Sequence, residues 1–272
     1  MRILLTNDDG IAAEGLAALE RIARTLSDDV WVVAPELEQS GQSRALTLTA
    51  PIKVREIGPK RFAVGGTPTD CVILAIQDLL DGKPDLVLSG INRGQNLAED
   101  VTFSGTVAGA LAGMALGTPA IALSQALSTF HDDEQALYAT PEAHAPGIIR
   151  KLLERGWPAD VVINLNFPDL PPEEVRGTEV TEQGFREVSH THATRRTDPR
   201  GRPYYWMNFR GVPGEPKHGT DLAAVREGRI SVTPLHIDLT HRDTMKRLHG
   251  LFGALPPSDV DLPEAPEGRA DG

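Results

Sequence analysis

The stretch RILLTNDDGI, residues 2–11, decides how this chain is expected to fold. It opens with a short apolar run that predicts a buried β-strand, and the strand is followed by two adjacent aspartates, Asp8 and Asp9. Apolar residues then recur at helical spacing from Leu16 to Leu26, which predicts a helix directly after the strand. A strand followed by a helix is the first half of a βαβ unit, in which the next strand runs parallel to the first.

The same alternation of strand and helix continues along the chain. Further apolar runs predict strands at residues 30–34, 85–89, 120–124 and 161–167, with helices predicted at 67–82, 105–116 and 134–155. Residues 46–64 alternate more loosely and predict an excursion of short antiparallel strands. Runs that are apolar throughout are typical of parallel strands covered on both faces, so the sequence predicts an α/β fold with a parallel sheet flanked by helices.

The character of the chain changes after residue 170. Residues 186–218 are polar and charged around the aromatic patch at 204–206, which predicts a protruding hairpin arm. The end of the chain is rich in Pro, Asp, Glu and Gly, which is typical of disorder. We therefore predict a core at 1–170, C-terminal strands with a hairpin involved in oligomerisation at 171–250, and a disordered acidic, proline-rich tail at 251–272.

Composition narrows the possible partners and the compartment. The formal net charge of −11 over 272 residues repels extended polyanions, so a nucleic-acid duplex is not expected as a partner. Cys71 is the single cysteine, which excludes an intrachain disulfide and fits a reducing compartment. No cationic, apolar leader precedes the first strand, and no apolar run reaches the roughly 18 residues that a membrane span needs. We expect a cytoplasmic protein with no membrane partner.

Oxygen-bearing side chains follow three of the predicted strands. Asp8 and Asp9 follow the first strand, Ser40 follows the second, and Asn92 follows the strand at 85–89. Ligands bind outside the carboxyl ends of parallel strands, where the connecting loops converge. Adjacent carboxylates repel one another, and a divalent cation offsets that repulsion, with hard oxygen ligands favouring Mg²⁺ or Mn²⁺ over Zn²⁺. A second interpretation stays open, in which Asp-Asp-Gly is a polar turn that caps the following helix.

The stretch FSGTVAGALAG, residues 103–113, predicts a helix start that is able to bind an anion. Ser104 is a candidate N-cap, and Gly105 with Thr106 opens a helix of very small residues. Free backbone N–H groups and the positive helix end favour a phosphate, particularly beside a divalent cation and the amide of Asn96. An ordinary N-cap followed by close packing of small residues is the alternative.

Six separated motifs resemble those of the survival protein E (SurE) family, in the same order over about residues 1–250. They are RILLTNDDGI, VVAPELEQSGQS, GTPTDCV, SGINRGQN, SGTVAGAL and VREGRISVTPL. The resemblance implies a Rossmann-like, three-layer core and a C-terminal extension whose hairpin exchanges between subunits in a homodimer or homotetramer. It implies a metal-dependent 5′(3′)-nucleotidase that releases phosphate from nucleoside monophosphates, with short polyphosphate as a further substrate of some members.

Site residues carry over from the resemblance motif by motif. The implied metal ligands are Asp8, Asp9, Ser40 and Asn92. The implied phosphate-binding residues are Asn96, Ser104, Gly105 and Thr106. One divalent cation per subunit, Mg²⁺ or Mn²⁺, is expected. We expect Asp8 and Asp9 to be catalytic, with Asp8 orienting or deprotonating the attacking water.

Two other functions stay open at this point. An aspartyl-phosphate mechanism of the haloacid dehalogenase kind requires two acidic residues two positions apart, so that both lie on one face of the strand. Asp8 and Asp9 are instead adjacent, which predicts that they point to opposite faces. A metal-dependent nucleotide sensor would use the aromatic arm as a partner surface. Phosphate release from nucleoside monophosphates separates the enzyme from the sensor.

Overall fold

The computed structural model describes residues 1–127, 137–186, 191–209 and 214–253. The chain divides into two compact units, Met1–His236 and Ile237–Gly272. The helices of the first unit are α1 (Glu14–Arg24), α2 (Pro68–Leu74), α3 (Gly105–Ala115), α4 (Ala139–Arg155) and α5 (Asp221–Arg226). The described part of the second unit contains α6 (Arg242–Phe252), whose N-cap His241 accepts a hydrogen bond from the backbone of Thr244.

A nine-stranded sheet forms the centre of the first unit, in the order β3-β4-β2-β1-β5-β6-β7-β11-β8. Its strands are β1 (Arg2–Thr6), β2 (Asp29–Pro35), β3 (Val54–Gly58), β4 (Arg61–Val64), β5 (Leu86–Arg93), β6 (Ala120–Gln125), β7 (Val162–Phe167), β8 (Thr178–Val180) and β11 (Ile230–Leu235). In the sheet order, each pair of neighbouring strands from β4 through β2, β1, β5 and β6 to β7 is parallel. The pairs β3–β4 and β7–β11 are antiparallel. The predicted α/β fold with a mostly parallel sheet is confirmed.

Helices cover both faces of this sheet. Successive side chains of each buried strand point to opposite sides, and because both sets are apolar, both faces need to be covered. On one face, Ile3 and Leu5 of β1 pack in the same cluster as Leu16 of α1. On the other face, Leu4 packs in a second cluster with Val107 of α3. The three layers follow directly from a first strand that is apolar on both of its faces.

Helix α3 lies unusually close to the sheet, because glycines occupy every fourth position of its inner side. A Cβ atom on Gly109 would lie 2.7 Å from Ser89 Oγ, and one on Gly113 would lie 2.7 Å from Val87 Cγ2. A larger side chain at either position would push the helix off β5. This close approach brings the N-terminus of α3 against the carboxyl end of β1.

The predicted helix at 67–82 is partly confirmed. Thr67 caps α2 and Asp70 completes a capping box, as the sequence pattern indicates. A single α-helix through to Gly82 is wrong, because Ala75–Leu79 forms a π-helical turn that ends when Leu80 becomes extended. The backbone N–H of Leu80 donates to the carbonyl of Ala75, five residues earlier, which is the wider spacing of a π-helix.

The predicted antiparallel excursion is confirmed for residues 54–64, where β3 and β4 pair, whereas residues 46–53 form no strand. The predicted arm contains the antiparallel pair β9 (Thr191–Thr197) and β10 (Pro203–Phe209), on which Tyr205 and Trp206 are exposed.

Most of the predicted tail, residues 254–272, lies outside the described residues. Within the part of the chain that the structure describes, no helix combines the length and apolar character needed to cross a bilayer.

Candidate metal and phosphate site

The candidate site lies at the carboxyl ends of β1, β2 and β5. These strands are parallel neighbours, so the loops that follow them meet at one edge of the sheet. The backbone of Gly10 has a φ of +103°, a conformation that favours glycine, and its carbonyl accepts a hydrogen bond from the Asn7 side chain at 2.9 Å. The carbonyl of Asp8 accepts the backbone N–H of Gln39 at 2.8 Å, which joins the loop after β1 to the loop after β2.

Asp8 is buried, with 5% of its surface exposed, and it contacts the first turn of α3. The hydroxyl of Thr106 donates to Asp8 Oδ1 at 2.6 Å. Burial raises the pKa of Asp8 above its ordinary value, although the hydrogen bonds from Thr106 act in the opposite direction. A carboxyl group in this position resists ionisation until a positive charge arrives beside it.

Asp9 follows Asp8 in the loop after β1 and is half-buried. Burial and the neighbouring negative charge of Asp8 raise the pKa of Asp9 to about 7. The backbone N–H of Arg93 opposes this shift from 3.4 Å, whereas the negative charge of Glu38 adds to it. The positive charge of Arg93 also lowers the pKa of Asp9, but it does not outweigh burial and the charge of Asp8, so the two aspartates form a desolvated acidic pair.

Gly105 decides how closely α3 approaches this acidic pair. A Cβ atom at Gly105 would lie 2.7 Å from Asp8 Cβ and 2.9 Å from Asp8 Oδ2, which is closer than real Cβ contacts. Ser104 is the N-cap of the helix, and its Oγ accepts the backbone N–H of Val107 at 3.0 Å. The positive end of the helix thus lies beside Oδ2 of Asp8, where a bound anion would meet backbone donors.

Asn96 is held at this edge by a buried polar network. Its side-chain amide donates to Ser124 Oγ at 2.9 Å and lies 3.5 Å from Thr106 Oγ1. Its backbone N–H donates to Asn166 Oδ1 at 2.8 Å, and its carbonyl accepts from the side chains of Asn164 and Asn166. Thr106 therefore contacts both a predicted phosphate-binding residue and a predicted metal ligand.

Ser40 and Asn92 are joined to the aspartates through their chain neighbours. The residue before Ser40 donates to the backbone of Asp8, and the residue after Asn92 donates to the carboxylate of Asp9. The Ser40 hydroxyl donates to Glu38 Oε1 at 2.8 Å, and the Asn92 amide nitrogen donates to the carbonyl of Gly94 at 2.8 Å. In both residues the donor is used within the protein, which leaves an oxygen lone pair available to a cation.

The donor chemistry fits a small, hard divalent cation. Two carboxylates, a hydroxyl and an amide oxygen are ligands that Mg²⁺ and Mn²⁺ accept. Over the described residues, no group of three or more His, Cys, Asp or Glu side chains is placed to hold a metal ion, so a cation here depends on uncharged oxygens as well. The buried Oδ1 of Asn7, next to Asp8, has no hydrogen-bond partner and is a further polar atom at this edge.

Sequence reasoning missed Asn164 and Asn166 as parts of this edge. A signal for both exists in the strand VINLNF, residues 162–167, where asparagine alternates with apolar residues although the strand is buried on both faces. Polar residues in such a strand need partners, so a pair on one face indicates a buried network. Asn7 directly precedes Asp8 in the sequence, whereas its unpartnered oxygen is visible only in three dimensions.

The fold and the site define an α/β protein in which a desolvated acidic pair at the strand ends meets the N-terminus of a glycine-rich helix. The family model described as Survival protein SurE matches residues 3–190 of this chain. The chain belongs to this family, which confirms the resemblance seen in its motifs.

Curated relatives and one solved structure agree with this assignment. A Caulobacter vibrioides protein named 5′-nucleotidase SurE is 66% identical over 261 residues, covering 96% of this chain and 99% of that protein. A Phenylobacterium zucineum protein of the same name is 62% identical over 258 residues, covering 94% and 99% respectively. The crystal structure of the SurE protein from Aquifex aeolicus superposes with a TM-score of 0.78 at 42% identity, covering 93% of this chain and all of that chain.

Proposed function

We propose that this protein is a divalent-metal-dependent 5′-nucleotidase that hydrolyses nucleoside monophosphates to a nucleoside and phosphate. The observation that carries the proposal is the desolvated pair Asp8 and Asp9, placed at the strand ends against the N-terminus of α3. The name 5′-nucleotidase SurE, which relatives carry at up to 66% identity, supports the same activity.

The metal ligands in this proposal are Asp8, Asp9, Ser40 and Asn92, which offer only oxygen donors. Such a cation supplies Lewis-acid polarisation of the phosphoryl group when it is bound. The protein itself makes this binding favourable, because the pair of aspartates is destabilised by burial and mutual repulsion in its absence. Mg²⁺ and Mn²⁺ both match these donors.

Four residues hold the phosphate in this proposal: Asn96, Ser104, Gly105 and Thr106. The N-terminus of α3, where Ser104 is the N-cap, offers backbone donors to a phosphoryl oxygen, and the helix dipole favours negative charge there. Donors that are fixed by a helix and a buried network need no reorganisation when charge develops on the phosphoryl oxygens. The network around Asn96 supplies this rigidity.

Asp8 orients the attacking water and accepts its proton. Its Oδ1 is occupied by the hydroxyl of Thr106, whereas its Oδ2 lies at the N-terminus of α3, where the phosphate is proposed to bind. Burial raises the pKa of Asp8, which favours its acceptance of a proton from that water. Asp9, whose Oδ2 accepts the backbone N–H of Arg93, serves as a metal ligand beside Asp8.

The remaining parts of the proposal rest on the family resemblance, except that the location and the boundary near residue 170 rest on the composition of the sequence. The enzyme also acts on nucleoside 3′-monophosphates and on short polyphosphate, it works in the cytoplasm, and it forms a homodimer or a homotetramer. The core of residues 1–170 carries the chemistry, and residues 171–250 with their hairpin make the subunit contacts.

The test uses the full chain, freed of metal with EDTA, and a panel of nucleoside 5′- and 3′-monophosphates. We expect phosphate release only after Mn²⁺ or Mg²⁺ is restored, and none from Asp9→Asn under the same conditions. Equal release with EDTA would contradict the metal requirement. Tight nucleotide binding without phosphate release would favour the sensor.

An acid-quench experiment separates direct water attack from an aspartyl-phosphate mechanism. Substrate labelled with radioactive phosphate is mixed with excess enzyme, and the protein is denatured within the first turnover. We expect the label to appear as free phosphate, with none attached to the protein. Label that stays on the denatured chain would identify a covalent intermediate.

A further inference from the structure

Asp221 is a completely buried carboxylate that joins three separate parts of the chain. Its Oδ2 accepts the backbone N–H of Ala98 at 2.8 Å, and its Oδ1 accepts the backbone N–H groups of Gly184 and Leu222, each at 2.8 Å. Burial raises the pKa of Asp221, and the three backbone donors oppose that shift. Burying a carboxylate costs free energy, so the contacts that Asp221 makes indicate its role.

Arg186 holds the same segment from a second direction. Its guanidinium donates to Asp100 Oδ2 at 2.7 Å and to the carbonyl of Leu97 at 3.4 Å. It also lies 3.5 Å from Glu99 Oε2, and its backbone N–H donates to the same oxygen. Residues 97–100 are thus tied to the C-terminal half of the chain by Asp221 and by Arg186.

This segment connects two of the proposed phosphate-binding elements. Asn96 precedes it directly, and Ser104 follows the short 3₁₀ turn Ala98–Thr102. Ala98 is completely buried and has a φ of +54°, a left-handed conformation that costs a non-glycine residue about 1 kcal/mol. The hydrogen bond from Ala98 to Asp221 satisfies the one backbone donor that this strained residue buries.

We propose that Asp221 and Arg186 are positioning residues of the phosphate site, acting through the segment 97–100 to set the spacing between Asn96 and Ser104. This inference rests on the proposed function, because it takes those two residues as phosphate ligands. Neither positioning residue touches the substrate. Their effect is on phosphate affinity, since displacement of a fixed donor by about 1 Å weakens a bound transition state strongly.

The substitution Asp221→Asn tests the bond to Ala98 selectively. Asparagine has one oxygen, and that oxygen is best placed where two donors, from Gly184 and Leu222, converge. Its amide nitrogen then faces the N–H of Ala98. Because both groups are donors, the variant loses the hydrogen bond to Ala98, which is the contact between residue 221 and the segment 97–100. The side-chain volume and the start of α5 are otherwise retained.

Thr220→Ala is the matched control. Thr220 is the N-cap of α5, directly before Asp221, and it accepts the backbone N–H of Ala223. Loss of this cap weakens the same helix start by about 1 kcal/mol without touching residues 97–100. Thr220→Ala therefore shows how destabilisation of α5 alone changes phosphate affinity and KM.

The measurements are the dissociation constant of inorganic phosphate in the presence of Mn²⁺, kcat and KM for a nucleoside monophosphate, and the melting temperature. We expect Asp221→Asn to weaken phosphate binding and raise KM about tenfold, with Mn²⁺ affinity unchanged. Thr220→Ala should keep the wild-type phosphate affinity and KM at a lower melting temperature. Wild-type phosphate affinity in Asp221→Asn would overturn the proposal.

Arg186→Gln is the second variant, and it decides the matter if Asp221→Asn does not fold. Removal of the guanidinium releases Asp100 and the carbonyl of Leu97, so we expect weaker phosphate binding with the same Mn²⁺ affinity. An unchanged phosphate affinity in this variant would overturn the proposal. A wild-type protein that binds phosphate but hydrolyses no monophosphate would instead contradict the proposed function, and the phosphate affinities would still judge this inference.

Discussion

Two aspartates at opposite ends of the pair β1–β2 have opposite electrostatic environments. Asp29 begins β2 and lies beside Arg2, its partner in the strand register. It accepts hydrogen bonds from Lys60 at 2.6 Å and from Arg2 at 3.0 Å, and these lower its pKa to about 2. Asp9 follows β1 at the other end, where burial and the charge of Asp8 raise its pKa to about 7.

The difference between the two ends separates a carboxylate that is paired with cations from one that burial and a neighbouring carboxylate make costly to ionise. At the amino end, the protein supplies the positive charge itself, and the carboxylate contributes to a surface cluster around Trp31. At the carboxyl end, the protein concentrates negative charge, and the charge of Arg93 offsets only part of its effect on the pKa of Asp9. Groups with such pKa shifts cluster at functional sites, since natural proteins tolerate the cost where a ligand offsets it.

The largest expected effect comes from neutralising the aspartates at each end in turn. Asp8→Asn and Asp9→Asn should each lower kcat/KM by about a thousandfold, because a metal ligand and the orientation of the water are lost. Asp29→Asn should change kcat/KM less than about twofold. Phosphate release in Mn²⁺ measures all three variants. If Asp9→Asn retained wild-type rates in Mn²⁺, the metal assignment would be wrong.

Asp9→Asn and Asp29→Asn should change the free energy of unfolding in opposite directions. Without metal at pH 8, Asp9→Asn should raise the free energy of unfolding by roughly 1–2 kcal/mol, since it removes a charge that burial and Asp8 make costly. Asp29→Asn should lower the free energy, because its cationic partners lose their counter-charge. Urea unfolding in EDTA measures both changes, and a destabilised Asp9→Asn would contradict the electrostatic account.

The next largest effect comes from two glycines at the two ends of α3. A Cβ at Gly105 would meet Asp8, and one at Gly113 would meet Val87, each at 2.7 Å. Gly105→Ala should lower kcat/KM by about a hundredfold, because it displaces Asp8, the proposed catalytic carboxylate. Gly113→Ala should cost about 1–3 kcal/mol of stability through overpacking, and kcat should stay near wild type. Assays of activity and urea unfolding on both variants measure the contrast.

Gly147→Ala serves as the baseline for these two variants. Gly147 lies in α4, and a Cβ there would meet nothing within 4 Å. Alanine in an open helical position should stabilise the protein by about 0.5–1 kcal/mol with no change in activity. Equal loss of activity in Gly105→Ala and Gly113→Ala would show that the contact with Asp8 is not special.

A smaller effect is the pH dependence of the metal-free protein. The folded pKa of Asp9, about 7, exceeds its ordinary value of 3.8, so the folded state binds the proton more tightly than the unfolded state. The free energy of unfolding should therefore fall as pH rises from about 4 to 7, in the same direction as the contribution of Asp8. Urea unfolding in EDTA across this range should show a weaker slope for Asp9→Asn; an identical slope would exclude Asp9 as its source.

The smallest effect is the opposite pH dependence at the amino end. The folded pKa of Asp29, about 2, lies below its ordinary value of 3.8. Its contribution to stability is therefore present above about pH 4 and is lost as pH falls towards 2. Since Asp29 is partly exposed, we expect less than about 1 kcal/mol. Comparison with Asp29→Asn between pH 2 and 4 measures it, and a contribution that grew in acid would have the wrong sign.

Much of the fold could be predicted from local patterns. The strands at 30–34, 85–89 and 120–124 lie within one or a few residues of β2, β5 and β6, because apolar runs mark buried strands whatever their neighbours are. The N-caps Thr67 and Ser104 were also predictable, since each depends on residues three positions away at most. The π-helical turn after α2 was not, because no local residue marks it.

The site was predictable only in part. The acidic pair and the start of α3 appear in the sequence as short motifs, but the contact between Asp221 and Ala98 spans 123 residues and has no local signature. The network of Asn164 and Asn166 around Asn96 similarly joins β7 to a loop about 70 residues earlier. Such contacts depend on which distant elements become neighbours in the sheet.

The sequence by itself determined the strands, the helix caps and the chemical identity of the donors at the strand ends. The tertiary structure decided which of those carboxylates became costly to ionise. A pKa depends on burial and on nearby charge, and both arise from packing between distant elements. Asp8, Asp9 and Asp29 carry the same side chain, and only their different surroundings raise the pKa of the first two and make the third an ion pair with Arg2 and Lys60.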